Sequence, residues 1–149
     1  MLETAGPPPA DTSVTFTAGE PHTIILRHGP PDNVEFMELS FPQSTFQADS
    51  GRPVRVDVQP RPGLYGIDLT TSLTMGTGAT LVFKYARYFS APAQARAIYG
   101  SDIRFEQALA IGQLRPDGQL AFLPSIRPAA DNLQARLTGP GEYLVAAAR

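Results

Sequence analysis

Apolar residues recur at every second position over most of this chain. Val54, Val56 and Val58 alternate with Arg55 and Asp57; Tyr65, Ile67 and Leu69 with Gly66 and Asp68; Leu81, Phe83 and Tyr85 with Val82 and Lys84. A period of two places each apolar set on one side of an extended strand and the intervening set on the other. Three half-buried strands in succession predict a sheet with one wet face, whose dry face must be covered by a second layer of similar strands. The alternation continues upstream over residues 14–18, 22–28 and 34–41, and downstream over 103–114, 119–123, 133–137 and 142–147. In the run 34–41 the phase changes: Val34 and Phe36 share one parity, Met37, Leu39 and Phe41 the other. That predicts a bulge near Phe36-Met37, which swaps the side chains that face inward.

Glycine (13) and proline (15) fall between these runs, as in Gly29-Pro30-Pro31, Pro116-Asp117-Gly118 and Gly139-Pro140-Gly141. They punctuate many short strands. One segment breaks the period: Pro92-Ala93-Gln94-Ala95-Arg96-Ala97-Ile98-Tyr99 is rich in helix formers, with Ser90 as a cap and Gly100 as a stop. The pattern predicts an all-β antiparallel sandwich of about nine strands with one short helix near residues 91–99. A parallel α/β fold would need a helix between most strands. Residues 1–12, with Pro7-Pro8-Pro9, read as a flexible proline-rich tether ahead of a single domain over 13–149. The tether suggests an exported protein, with Met1 standing where a signal or lipid-anchor sequence ended. The expected location is therefore extracytoplasmic, periplasmic or at the cell surface, with a lipoprotein as one form of it.

Composition narrows the function classes. At 149 residues the chain buries enough surface to fold without staples, in keeping with its lack of cysteine. That lack also removes thiolate nucleophiles and thiolate metal sites. The 12 basic and 14 acidic residues are scattered singly, leaving a net charge of −2. No basic stripe exists to neutralise phosphates, so a nucleic-acid partner is not expected. No apolar run approaches the roughly 20 residues of a membrane-spanning helix.

Candidate chemistry is sparse. His22 and His28 share a strand face with Ile24 and Leu26 but stand about 20 Å apart along it, too far to share one metal ion. Each could separately join Glu35, Glu38 or Asp57. Glu35 and Glu38 have opposite parity, so only the predicted bulge brings this carboxylate pair, of the kind glycoside hydrolysis uses, to one face. No Gly-x-Ser-x-Gly elbow occurs, and Gly76-x-Gly78 has neither the lysine nor the helix of a phosphate loop. The most suggestive feature is the cluster Tyr85-Ala86-Arg87-Tyr88-Phe89, followed by Tyr99 at the end of the helix. Aromatic rings beside an arginine stack on sugars or pack against a protein. Arg87, Tyr88 and Tyr99 are therefore the candidate ligand or partner surface.

Several segments resemble one known module, the Ig-like β-sandwich domain shared by ankyrins and netrin receptors, with its bacterial relatives. Leu39-Ser40-Phe41-Pro42 followed by Phe46 is similar to that family's strand-proline-aromatic step, and Val54 to Val58 ending in Pro60 to the strand after it. Tyr65-Gly66-Ile67-Asp68-Leu69 and Thr80-Leu81-Val82-Phe83-Lys84-Tyr85 look like its paired central strands. Ala97-Ile98-Tyr99 and Gly141-Glu142-Tyr143-Leu144-Val145-Ala146 look like its closing strands. The family's Pro-Gly-Ala step is absent after Pro42. Its His-Phe-Ser self-cleavage site is not carried over either, since Tyr88 precedes Phe89-Ser90. The resemblance implies an Ig-like fold and a binding or scaffolding role rather than an enzyme. The expected function is thus a non-catalytic structural or protein-interaction module of a bacterial envelope protein, with no cofactor and no metal, that binds a protein partner or another copy of itself. The alternatives are a carbohydrate-binding module on Arg87, Tyr88 and Tyr99, and a metal-dependent jelly-roll enzyme centred on His22 or His28.

Overall fold

Strands β1 (Thr12–Thr17), β2 (His22–Arg27), β3 (Glu35–Phe41), β4 (Pro53–Pro60), β5 (Gly66–Thr71) and β6 (Thr80–Lys84) precede two short helices, α1 (Ala95–Tyr99) and α2 (Asp102–Gln107). Strands β7 (Leu109–Leu114), β8 (Leu120–Phe122), β9 (Ser125–Ile126), β10 (Asn132–Arg136) and β11 (Gly141–Ala147) follow. A 3-10 helix, Gln43–Asp49, links β3 to β4. The computed structural model describes residues 1–4, 7–31, 33–85, 91–129 and 131–147, with every side chain among them except that of Arg96.

The strands form two sheets, ordered β1-β4-β5-β11-β7-β8 and β2-β3-β6-β10-β9, and every pairing is antiparallel. A β-sandwich architecture fits this arrangement. The alternating residues behave as their period requires: Val54, Val56, Val58, Ile67, Leu69, Leu81 and Phe83 are all buried in one cluster drawn from both sheets. Arg55 and Thr70 face solvent on the opposite side. Strand β11 departs from alternation, because Tyr143, Leu144, Val145 and Ala146 are buried in succession. It lies inside its sheet between β5 and β7, and both its faces are covered. On the outer face Leu144 packs over Gly66, where a Cβ would stand 2.3 Å from Leu144 Cδ2.

The predicted bulge is present. Leu26 pairs with Met37 and Arg27 with Glu35, so Phe36 is the extra residue, and Phe36 and Met37 are both buried. Other expectations are corrected. The described residues hold eleven strands, not nine; β9 is only two residues long. The run 103–114, expected as one strand, is α2 followed by β7. Phe105 and Leu109 are in phase with a period of two, yet their separation of four also fits a helix. Local capping decides between them. The Ser101 side chain accepts a hydrogen bond from the Arg104 N–H at 3.2 Å, and Asp102 sits in the first turn, where the helix dipole favours an acid. The helix expected near 91–99 is α1, shorter and confined to Ala95–Tyr99.

The described part of residues 1–12 is docked on the sandwich rather than free of it. Leu2 and Pro9 are buried, and Thr12 already belongs to β1. The carbonyl of Pro7 accepts from His28 Nδ1 at 2.8 Å. Tyr65 and Val145 are the next pair in the register that joins β5 to β11, and Leu2 lies between them. Val145 N–H still donates to the Tyr65 carbonyl (2.9 Å), but the return bond runs through Leu2. Tyr65 N–H donates to the Leu2 carbonyl (3.0 Å), and Leu2 N–H donates to the Val145 carbonyl (2.8 Å). Glu3 then bridges to Leu64, and Thr4 N–H donates to Gly63 at 2.9 Å.

Candidate functional site

The two histidines occupy opposite ends of β2, each in its own aromatic cluster. His22 stacks on Phe16 with ring centroids 4.5 Å apart, beside Phe41 and Phe46. His28 is buried and meets Phe36 and Tyr65 edge-on, at 5.3 and 6.3 Å. Among the described residues no group of three or more histidine, aspartate and glutamate side chains is arranged to hold a metal ion.

The bulge does bring Glu35 and Glu38 to one face, the outer face of the β2-β3-β6-β10-β9 sheet. Lys84 lies between them, bonded to Glu35 and 3.6 Å from Glu38 Oε2, with Arg27 3.4 Å from Glu35 on the other side. The Lys84 hydrogen bond holds the Glu35 carboxyl below the usual carboxylate range, against the opposing effect of burial. The same bond raises Lys84. A general acid needs the reverse shift, a carboxyl raised so that it keeps its proton near neutral pH. This cluster therefore reads as a surface ion-pair chain. The other surface carboxylate considered from sequence, Asp57, is likewise lowered, first by Ser13 and then by Arg55.

Of the residues expected to form a partner surface, Arg87 and Tyr88 lie outside the described residues, as do Phe89 and the cap candidate Ser90. Tyr99 is described. It is half-buried at the end of α1, its ring 5.6 Å from Phe105 at an interplanar angle of 58°. One side of the ring is thus committed to α2. The rest faces a cavity of about 240 Å³ whose other walls include Glu3, Leu64, Ala95, Ile98, Phe105 and Ala147. Two other hollows, one around Pro124 and Arg136 and one between residues 71–75 and 138–140, have no aromatic lining.

A polar cluster of buried Tyr85, half-buried Glu106 and exposed Arg127 joins α2 to the end of β6. Tyr85 donates to Glu106 Oε1 on α2 at 3.1 Å, and Arg127 donates both to the Tyr85 hydroxyl and to the Glu106 carbonyl. Burial pushes the Tyr85 phenol up, with Arg127 acting in the opposite sense. These bonds fasten α2, and with it Phe105, to the end of β6. Asp102 and Glu106 fall about one helical turn apart on α2.

The cavity has the size to hold an apolar group. Its only carboxylate is Glu3, and no nucleophile–base pair faces it among the described residues. Two exposed apolar side chains, Met1 (62%) and Ile98 (51%), stand at its rim beside the exposed polar Glu3 and Gln94. An apolar cavity of about 150 Å³ admits benzene, so this one has room for a large apolar side chain. The sequence flagged Tyr99 but missed the cavity. Its walls come from residues near 3, 64, 95–105 and 147, and no local pattern announces that they converge.

No protein-family model, curated protein or solved structure matches this chain.

Proposed function

We propose that the protein is a non-catalytic interaction module that seats a large apolar side chain of a protein partner in the cavity beside Tyr99. The observation that carries this reading is the pairing of that cavity with exposed Met1 and Ile98 at its rim. Exposed large apolar side chains gathered around a concavity mark interaction sites more often than solvated surface does. The ion-pair chains around Glu35 and Asp57 fit a structural role for the charged groups. An Ig-like classification and an exported or envelope setting belong to the same proposal. The all-antiparallel sheets support the first.

Methyl-detected NMR titration with indole, as a probe of an apolar side chain, tests the cavity. Saturable shifts should be confined to the methyls of Met1, Leu64, Ala95, Ile98 and Ala147, and those of the four other than Ile98 should disappear in Ile98→Glu. Weak shifts spread evenly over the surface methyls would reject the reading.

A further inference from the structure

The insertion of Leu2 into the β5–β11 ladder is a strand addition one residue deep. We propose that the fork between Tyr65 and Val145 is a strand-acceptor site, and that its partner in trans is residues 1–4 of a second copy of this chain.

The fork offers a free donor, a free acceptor and an apolar socket. The Tyr65 N–H and the Val145 carbonyl would meet directly if the register continued, but Leu2 separates them and satisfies both. Leu2 is 0% exposed, and its side chain belongs to the common core. The neighbouring side chains, Met1 and Glu3, line the cavity on the other side, as strand alternation requires. Extended peptides recognised by strand addition gain affinity from main-chain hydrogen bonds and selectivity from alternate side chains. The fork supplies both elements for a leucine-sized residue.

A second copy is the occupant because every copy carries the matching segment, and its fit is already displayed within one chain. Exchange of an identical element preserves each contact, so linkage and concentration decide the balance. Within one chain the segment is tied by the short stretch up to Pro7, whose carbonyl is anchored by His28 and Gly29. Such a tether gives an effective concentration on the order of millimolar. Dilute protein is therefore closed on itself, and exchange becomes competitive only when copies are crowded. Met1, exposed within one chain, travels with the exchanged segment to the cavity wall of the second molecule beside Ile98. The segment also supplies Met1 and Glu3 to the cavity wall, where Leu64 stands beside them, so the experiment reads covalent exchange of the segment rather than occupancy of the cavity.

Cysteine trapping tests it in the full chain, which has no cysteine of its own. Glu3 and Leu64 are directly paired. Antiparallel partners have Cα atoms roughly 4.5–5.5 Å apart, within the range of a disulfide. The double variant Glu3→Cys/Leu64→Cys should close within one chain. The single variants Glu3→Cys and Leu64→Cys, mixed near 1 mM under mild oxidation, should form a covalent heterodimer. Its yield should fall at least tenfold on hundredfold dilution and vanish when Leu2→Glu is added to the Glu3→Cys chain. Replacing the Leu64→Cys partner with Ser50→Cys, an exposed site away from the fork, gives the yield from random collision. A heterodimer yield no higher than that control, or a double variant that does not close, would overturn the proposal.

Discussion

Val56 faces the core from the middle of β4, between Val54 and Val58 and opposite Val14 on β1. A carboxylate placed there would be buried without a partner, a change that costs several kcal/mol or forces the group to take up a proton. A domain of this size holds only about 5–15 kcal/mol in reserve. Val56→Asp should therefore abolish the cooperative thermal transition seen by circular dichroism, and a parent-like melting curve would reverse the inward assignment of β4. Glu35 makes a smaller and pH-dependent contribution. Its pKa is lowered on folding by Lys84, so its stabilisation is present above the unfolded carboxylate value and is lost as pH falls through the folded one. Lys84 is raised, so its share is present below the unfolded lysine value and lost as pH rises through the folded one. The pair is complete between roughly pH 5 and 10. Glu35→Gln should remove about 0.5–1 kcal/mol at neutral pH and flatten the acid limb of a Tm-versus-pH curve. An acid limb unchanged by the substitution would show that Lys84 does not stabilise the carboxylate.

At the scale of elements, Arg127 helps to hold the helical insert in place. Arg127 is exposed, yet it donates both to the Tyr85 hydroxyl and to the Glu106 carbonyl of α2. Arg127→Ala should cost about 1 kcal/mol overall, with the loss concentrated in α2. Amide exchange over residues 101–108 should accelerate while β4 and β5 exchange as in the parent; equal rates throughout would remove Arg127 from this role. The same region shows where the sequence was readable and where it was not. β4, β5 and β6 were legible because each carries one apolar face and one polar face, and period two has no helical counterpart over such a run. The bulge at Phe36 was legible as a break in that period. α2 was not, because Phe105 and Leu109 satisfy two periods at once and the capping role of Ser101 is three-dimensional. Leu2 was hidden for another reason. A single apolar residue ahead of three prolines carries no periodicity, and its burial depends on a gap between two strands about sixty and about a hundred and forty residues away. The cavity beside Tyr99 was invisible for the same reason, while Tyr99 itself stood out as an aromatic residue at a helix end.

For the whole molecule, the order of strands in the larger sheet differs from their order along the chain. β11, the last strand, lies between β5 and β7 and holds together halves that precede it by many residues. Its four consecutive buried residues are the longest unbroken buried run among the described strands. Long-range pairings of this kind require loop closure before they return any stabilisation, which slows folding. During translation, β5 and β7 leave the ribosome before β11 does, and the edges that β11 pairs with stay open until it follows. A chain stalled before residue 141 would keep those edges adhesive, so its most vulnerable moment falls between the emergence of β7 and that of β11.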